Sequence, residues 1–556
     1  MTKSFLGRVA VAFAIMIPIV ASHAAPAELD GADRRKYDEA TNLTQSWTGG
    51  GDGLQRAFAI LMDLARRNPR SAYPLAGLAE IKYRLVAYQQ SSIAEVLDLA
   101  DRAVKLDPEN ADAQVVYSKA TLVQGQVDVA ARAAKRAIEL APQKPEAMFQ
   151  NAKVAEESHR YADAEKWYRM AIDRLPQKQR KSNTYYHMGV MFKEMKPVEV
   201  AKAAEAFGRA ADLTDDSIVI LNDSASFIMH HTERYDQAIG YLSKALGVGD
   251  YSIGRRNLGL AQYFKWGHAA FHPEQYRDAK DKPWEPERIT AVTGVSKEFA
   301  FAMNPAVDGT PYATLAMLKR GMIKDVNVFP EDCECPGNAL INSANGNHVD
   351  LVKMLVDRGA NVNAIDTKYG STALLYAVRN QNVELVRYLL ERGARVNLQD
   401  KQGRLLVEYA IVDAKPSDAS VLALVLEKGG DADAITREGS PLIAVAVQQG
   451  KPAAVELLLR RYKADPNANT GGARSMRVLA FAAANSGADG SQMVKTLLQA
   501  GANPWVKYGG QDVIDSLKGQ QDAFGPGMPP GMARAIEANI TMLEEARRKV
   551  AKPAGF

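Results

Sequence analysis

Prolines and alanines recur at one fixed interval in the first half of the chain, and that interval restricts the fold more than any other feature. Pro108, Pro142 and Pro176 stand 34 residues apart, as do Ala103, Ala137 and Ala171, and Ala130 and Ala164 keep the same spacing. A period between about 20 and 50 residues marks stacked repeats, none of which buries its apolar face alone. The stretch ADAQVVYSKATLVQGQVDVAARAAKRAIELAP, beginning at Ala111, reads as two helices and a turn. Small residues recur where paired helices touch, and Pro follows the second helix because it cannot continue one.

This pattern resembles the tetratricopeptide (TPR) repeat. The resemblance begins near Leu54, where AFAILMDLARRNP (Ala57 to Pro69) reads as the second helix of an incomplete leading repeat. Tyr73–Ala87 with Ser92–Leu106 forms the next pair, ahead of the two clearest repeats. TYYHMGVMFKEM with VAKAAEAFGRAADL is a fourth pair, with Gly189 at the small position, and SIVILNDSASFIMHH with YDQAIGYLSKALG a fifth. IGRRNLGLAQYFKWG, Ile253 to Gly267, starts a sixth, so the array is expected over 54–267. The polar, Gly-rich segment 25–53 reads as a linker. Its WTGGGDG, Trp47 to Gly53, lacks the Lys-Ser/Thr ending and the preceding strand of a phosphate-binding loop. Pro273, Pro283 and Pro286 mark 268–306 as a Pro-rich joint.

Beyond the joint the texture changes. GNALINSANGNHVDLVKMLVDRGANVNAI and GSTALLYAVRNQNVELVRYLLERGARVNLQ share G-x-x-x-L-x-x-A, with Ile341 for the Leu in the first, a helical segment ending in Gly, and a loop with spaced Asn or Asp. Two further copies begin at GRLLVEYA and GSPLIAVA and a looser fifth at SMRVLAFAA, and Gly337, Gly370 and Gly403 are 33 apart, with Gly439 36 later. This resembles the ankyrin repeat: two helices and an extended loop forming a hairpin with the next repeat. Gly359, Gly393, Gly429 and Gly501 fall where a left-handed residue closes the second helix. The family's TPLHxA has lost its His in every copy (NALINSA, STALLYA, RLLVEYA, SPLIAVA, RVLAFAA), so apolar packing is expected to carry more of the cohesion between repeats. Ankyrin repeats are expected over 307–520, and 521–556 reads as a linker and a capping helix striped by Ile536, Ile540 and Leu543. The fold class is therefore all-α, a two-part helical-repeat solenoid with short β-hairpin loops in its second part.

Composition bounds the function. At 556 residues the chain exceeds one core. A formal charge of +4 is too small to call for nucleic acid or an acidic membrane. At the N-terminus, Lys3 and Arg8 precede the apolar run Val9–Val20, and Ser22-His23-Ala24 offers a small-x-small cleavage site. Residues 1–24 read as a bacterial-style signal peptide, which directs the chain to the periplasm, or alternatively to secretion. No membrane span is expected after cleavage.

Chemistry is sparse. Cys333 and Cys335 in PEDCECPG read as a loop with a possible disulfide or free thiols; a redox pair or a metal site are the alternatives. His268 and His272 stand four apart without the Glu of a zinc-protease motif, and read as surface histidines. No nucleophile elbow, kinase set or dinucleotide fingerprint occurs. No catalytic residue, cofactor or metal is assigned.

Binding surfaces are the better-supported reading. The TPR resemblance implies a groove lined by the first helix of each pair, at Val115, Lys119, Phe149, Lys153, Tyr186 and Lys193. Lys119 and Lys153 would form a basic ladder suited to an extended peptide carrying a carboxylate, although Val116, Gln150 and His187 stand where carboxylate-clamp members have Asn. The ankyrin resemblance implies contacts at the hairpin tips, at Asp366, Lys368, Tyr369, Asp400, Lys401 and Arg437, with the Tyr369 ring as an anchor. The expected function is a non-enzymatic scaffold or adaptor for protein or peptide partners. A secreted effector or immunity-like inhibitor is the alternative, and an enzyme or metal protein using the Cys-x-Cys loop the third reading.

Overall fold

The computed structural model describes residues 27–47, 52–277, 282–306, 310–329, 337–472, 475–485, 487–525 and 528–554. The leader assigned to 1–24 and the Cys333/Cys335 loop lie outside the described residues. The chain is all-α and built of helical repeats, and it divides into two compact units, Met1–Leu258 and Gly259–Phe556.

In the first unit, helices pair in chain order: α1 (Gly31–Ser46) with α2 (Gly53–Arg67), α3 (Ala72–Val86) with α4 (Ile93–Leu106), and α5 (Ala111–Val123) with α6 (Val127–Leu140). Then come α7 (Pro145–Glu157) with α8 (Tyr161–Arg174), α9 (Lys178–Glu194) with α10 (Val200–Leu213), and α11 (Ile218–His231) with α12 (Tyr235–Val248). The periodic alanines explain the pairing. Ala103, Ala130, Ala137, Ala164 and Ala171 are fully buried, so α4, α6 and α8 set small side chains against their neighbours. Gly189 serves the same purpose, since a Cβ there would lie 2.9 Å from the Phe207 ring. Pro108, Pro142 and Pro176 each stand just past the end of α4, α6 or α8. A buried polar bridge ties three helices together: the Gln150 amide donates to Ser118 Oγ at 3.0 Å, and Ser118 donates to the Ala130 carbonyl at 2.8 Å.

The segment expected as a linker over 25–53 instead carries α1. Asp30 caps it, accepting from Ala32 N–H at 2.8 Å and Asp33 N–H at 2.7 Å. Asp33, Tyr37, Ala40 and Thr44 form its buried stripe, and Asp33 is bound there by Arg67 and by the Asn68 amide at 2.6 Å. The leading repeat is thus a complete pair. Its stripe mixes a carboxylate and a hydroxyl with one ring, so it carries no apolar period.

The division between units falls within α13 (Ser252–Phe271). The expected joint is also structured. It holds α14 (Pro286–Thr293) and α15 (Lys297–Met303), which bury Ile289, Ala300, Phe301 and Ala302. Pro286 occupies the first turn of α14, where a missing N–H costs nothing, so it starts a helix rather than breaking one. Gly267 packs directly on the chain at α16 (Tyr312–Lys319); a Cβ there would sit 2.2 Å from the Ala313 nitrogen.

Five short pairs follow: α17 (Ala339–Asn345) with α18 (Val349–Asp357), α19 (Ala373–Arg379) with α20 (Val383–Glu391), and α21 (Leu406–Val412) with α22 (Ser420–Glu427). The last two are α23 (Leu442–Gln448) with α24 (Pro452–Tyr462) and α25 (Val478–Ala484) with α26 (Ala488–Gln499). First helices stack in series, α17 on α19 through to α25. Gly359, Gly393, Gly429 and Gly501 have φ between 85° and 97°, the left-handed closure read from their spacing. The hairpins between repeats shrink to single bridges, Gln399 with Leu405, Ile435 with Pro441 and Asn469 with Arg477. One two-residue hairpin, Lys507–Tyr508 against Gln511–Asp512, precedes α27 (Val513–Phe524). Then α28 (Pro530–Arg547) packs on α26 and α27.

Cohesion between these repeats is not left to apolar packing. Asn327, Asn363 and Asn397 each donate an amide N–H to the carbonyl of a helix-closing glycine one repeat on (Gly359 at 3.2 Å, Gly393 at 3.0 Å, Gly429 at 3.0 Å). Each also accepts from a backbone N–H two residues further along: Asn361 at 2.7 Å, Arg395 at 2.8 Å and Asp431 at 3.3 Å. This Asn ladder supplies polar ties that the missing histidines do not.

Candidate binding groove

A groove of about 700 Å³ opens in the first unit. Its walls come from the first helix of five successive pairs: Tyr37 and Thr41 on α1, Glu80, Tyr83 and Arg84 on α3, Asp112, Val115 and Lys119 on α5, Glu146, Phe149 and Lys153 on α7, and Arg180, Asn183 and His187 on α9. The repeat period arranges these in three lanes, Asp112/Glu146/Arg180, Val115/Phe149/Asn183 and Lys119/Lys153/His187, with 34 residues between neighbours.

Four of the six residues expected here, Val115, Lys119, Phe149 and Lys153, line the groove; Tyr186 and Lys193 do not. The period runs unbroken into α9, which starts at Lys178, so the third rung is Asn183 and His187, about one turn before Tyr186 and nearly two before Lys193. Tyr186 instead donates its hydroxyl to Asp223 at 2.7 Å, and Lys193 is exposed. The lane Asp112, Glu146 and Arg180 is outside the expected set, although the 34-residue period by itself makes it legible in the sequence.

The groove is not a basic ladder. Lys119 Nζ lies 2.8 Å from Glu80, which Arg84 also approaches at 3.3 Å. Lys153 lies 2.9 Å from Glu156, whose other oxygen accepts from the Tyr168 hydroxyl at 2.6 Å. Asp112 is paired with Lys144, and Glu146 with Arg180. Burial alone would raise the Glu80 carboxyl, but Lys119 and Arg84 outweigh it and hold it below the usual carboxylate range. Burial likewise works against the Lys144 ammonium, and Asp112 reverses that, keeping it above its ordinary value. The half-buried His187 imidazole is pushed down to about 4, first by burial and then by the Lys153 charge. It packs edge-on to the Phe149 ring at 5.3 Å. At neutral pH it is therefore an uncharged ring in the lysine lane.

In the second unit the tip residues divide by charge. Asp366 is 1% exposed and accepts from the backbone N–H groups of Lys368 (2.9 Å), Tyr369, Gly370 (3.2 Å) and Ser371 (2.9 Å), so it shapes the turn instead of facing a partner. Asp400 similarly accepts from Gln402 N–H (2.8 Å), Arg404 N–H (3.0 Å) and the Tyr409 hydroxyl (2.7 Å). Lys368, Lys401 and Arg437 are exposed, and Tyr369 is 43% exposed with Lys368 Nζ 5.2 Å from its ring centre. Lys401 N–H donates to the Tyr369 carbonyl at 2.8 Å, and Arg437 to that of Gln402 at 3.0 Å, so each tip is tied to the one before.

His268 is not a surface residue. It is 1% exposed, stacked on His272 at 4.4 Å, with its Nδ1 2.9 Å from the Tyr276 hydroxyl; His272 Nε2 lies 3.0 Å from that of Tyr312. Among the described residues, no group of three or more His, Cys, Asp or Glu side chains is placed to hold a metal ion, and no helix is long and apolar enough to cross a membrane.

Residues 313–400 match the family model described as ankyrin repeats (three copies), so the chain carries ankyrin repeats over that segment. Among solved structures, the human ASB11 ankyrin repeat domain is similar at 19% identity, covering 47% of this chain and 100% of that one, with a TM-score of 0.34. No curated protein matches.

Proposed function

We propose that this protein is a non-catalytic scaffold that binds protein partners through both units. The first unit acts as a TPR-type array whose groove holds an extended peptide, and the second as an ankyrin array, extending over 307–520, that meets a partner at its exposed tips. The observation that carries this reading is the groove itself: five successive first helices present residues in register along one continuous wall. Ankyrin repeats commonly serve as protein-binding modules, which suits the second unit. We place the protein in the periplasm, with residues 1–24 removed on export; secretion is the alternative destination. In-cell photocrosslinking tests the scaffold reading. A benzophenone amino acid replaces Val123, at the groove rim, or Tyr369, at a tip. A discrete crosslinked protein from either position supports the reading, and none from both sinks it. Sequencing the N-terminus of the protein from fractionated cells tests the location, with Ala25 expected first in the periplasmic fraction.

A further inference from the structure

The groove carries charge on most of its rungs and leaves little of it unopposed. Asp112, Glu80, Lys119, Glu146 and Arg180 are each paired, with side-chain exposures of 16–20%, and among the described charged residues of the lining only Glu157 is exposed. A ligand carboxylate that bonds Lys119 or Arg180 also meets the carboxylate already paired there, and it gives up its hydration to do so. Uncharged amides face no such penalty. A paired carboxylate keeps free lone pairs and a paired ammonium keeps free N–H groups, and both can bond a peptide backbone without parting. Between the two charged lanes lie Val115 and the half-buried Phe149, whose ring packs against His187 at 5.3 Å, so an apolar side chain has a seat there. Neutral His187 extends that seat where a third cation would otherwise stand.

We infer that the groove selects an uncharged, extended peptide segment whose apolar side chain sits against Val115, Phe149 and His187. This rests on the groove being a peptide site, and it replaces the acidic ligand that the lysines alone suggest. The paired charges fix the backbone and the middle lane reads the side chain. Binding then depends little on salt, because no net charge is neutralised.

The test pans a phage-displayed random nonapeptide library on the full chain and measures enriched peptides by fluorescence anisotropy at roughly 50 and 300 mM salt, a range that halves the screening length or more. The expected result is enrichment of uncharged peptides with a central Leu, Ile or Phe. Their Kd should change less than about twofold across that range and rise at least about tenfold both in Phe149→Ala, which removes the ring of the seat, and in Val123→Glu, which adds a carboxylate beside Lys119 at an exposed groove position without disturbing the core. Enrichment of acidic peptides whose affinity falls about tenfold with salt overturns the inference and leaves the groove as a peptide site. No enrichment, or peptides that bind Val123→Glu and Phe149→Ala undiminished, overturns both.

Discussion

Glu80 and Lys119, 39 positions apart in the chain, meet at 2.8 Å on the groove wall, each largely shielded from water. The pair joins α3 to α5 and is one of several that cross between repeats, with Asp112 to Lys144 and Glu146 to Arg180. Groove shape and groove charge are therefore set by the same residues.

Lys119→Met leaves Glu80 with Arg84 alone. A loss of about 1–2 kcal/mol is expected at neutral pH, below the value for a fully buried pair because both groups keep some water. The folded Glu80 pKa is lowered from 4.5, so its stabilisation is present above 4.5 and fades as pH falls through the folded value. Urea titrations of the two proteins should converge in acid. Equal spacing between them at all pH values would contradict the pairing.

His187 has the opposite burden. Its folded pKa is about 4 against 6.5 when free, so below 6.5 the unfolded chain takes up a proton that the folded chain refuses. Stability should fall by about 2–3 kcal/mol as pH drops from 6.5 towards 4, at ~1.4 kcal/mol per pKa unit, and this contribution levels off below that. His187→Phe removes the proton site while keeping a ring against Phe149. Thermal melts of that variant should be flatter in this window than those of the parent protein.

In the second unit, Asn363→Ala deletes a donor to the Gly393 carbonyl and an acceptor for Arg395 N–H. A cost of about 1–2 kcal/mol is expected. Hydrogen exchange should rise at the loop around 393–395 before it rises in the groove helices; a uniform rise would show that the ladder does not act locally.

Two glycine-to-alanine changes separate crowding from helix propensity. At Gly267 the new methyl meets the Ala313 backbone at 2.2 Å, so Gly267→Ala should cost several kcal/mol, about 3 or more. At Gly240 nothing lies within 4 Å, so Gly240→Ala in α12 should stabilise by about 0.5–1 kcal/mol. Paired denaturation curves decide both, and a neutral Gly267→Ala would mean that the approach is looser than described.

Helix pairing was legible because it is local and repeated. Ala103, Ala137 and Ala171 carry the close contact in three successive copies, and the left-handed glycines Gly359, Gly393, Gly429 and Gly501 close four of the five second helices by their own backbone freedom, Lys463 closing the other. Helix α1 was not legible, because its buried stripe relies on Asp33 held by Arg67 and Asn68, partners supplied by the next helix. The joint misled for a related reason, since Pro286 breaks or begins a helix depending only on where it falls.

The sequence by itself determined the repeat period, the two textures and the lanes that face the groove. These depend on residue size and backbone freedom at fixed intervals, which chain order carries directly. Only the tertiary structure decided what those lanes present. The charge of Lys119 or Asp366 as seen by a partner depends on Glu80, or on a ring of turn amides, brought within hydrogen-bond reach by folding. Lys119 in the sequence is a bare charge, and in the fold it is half of a pair.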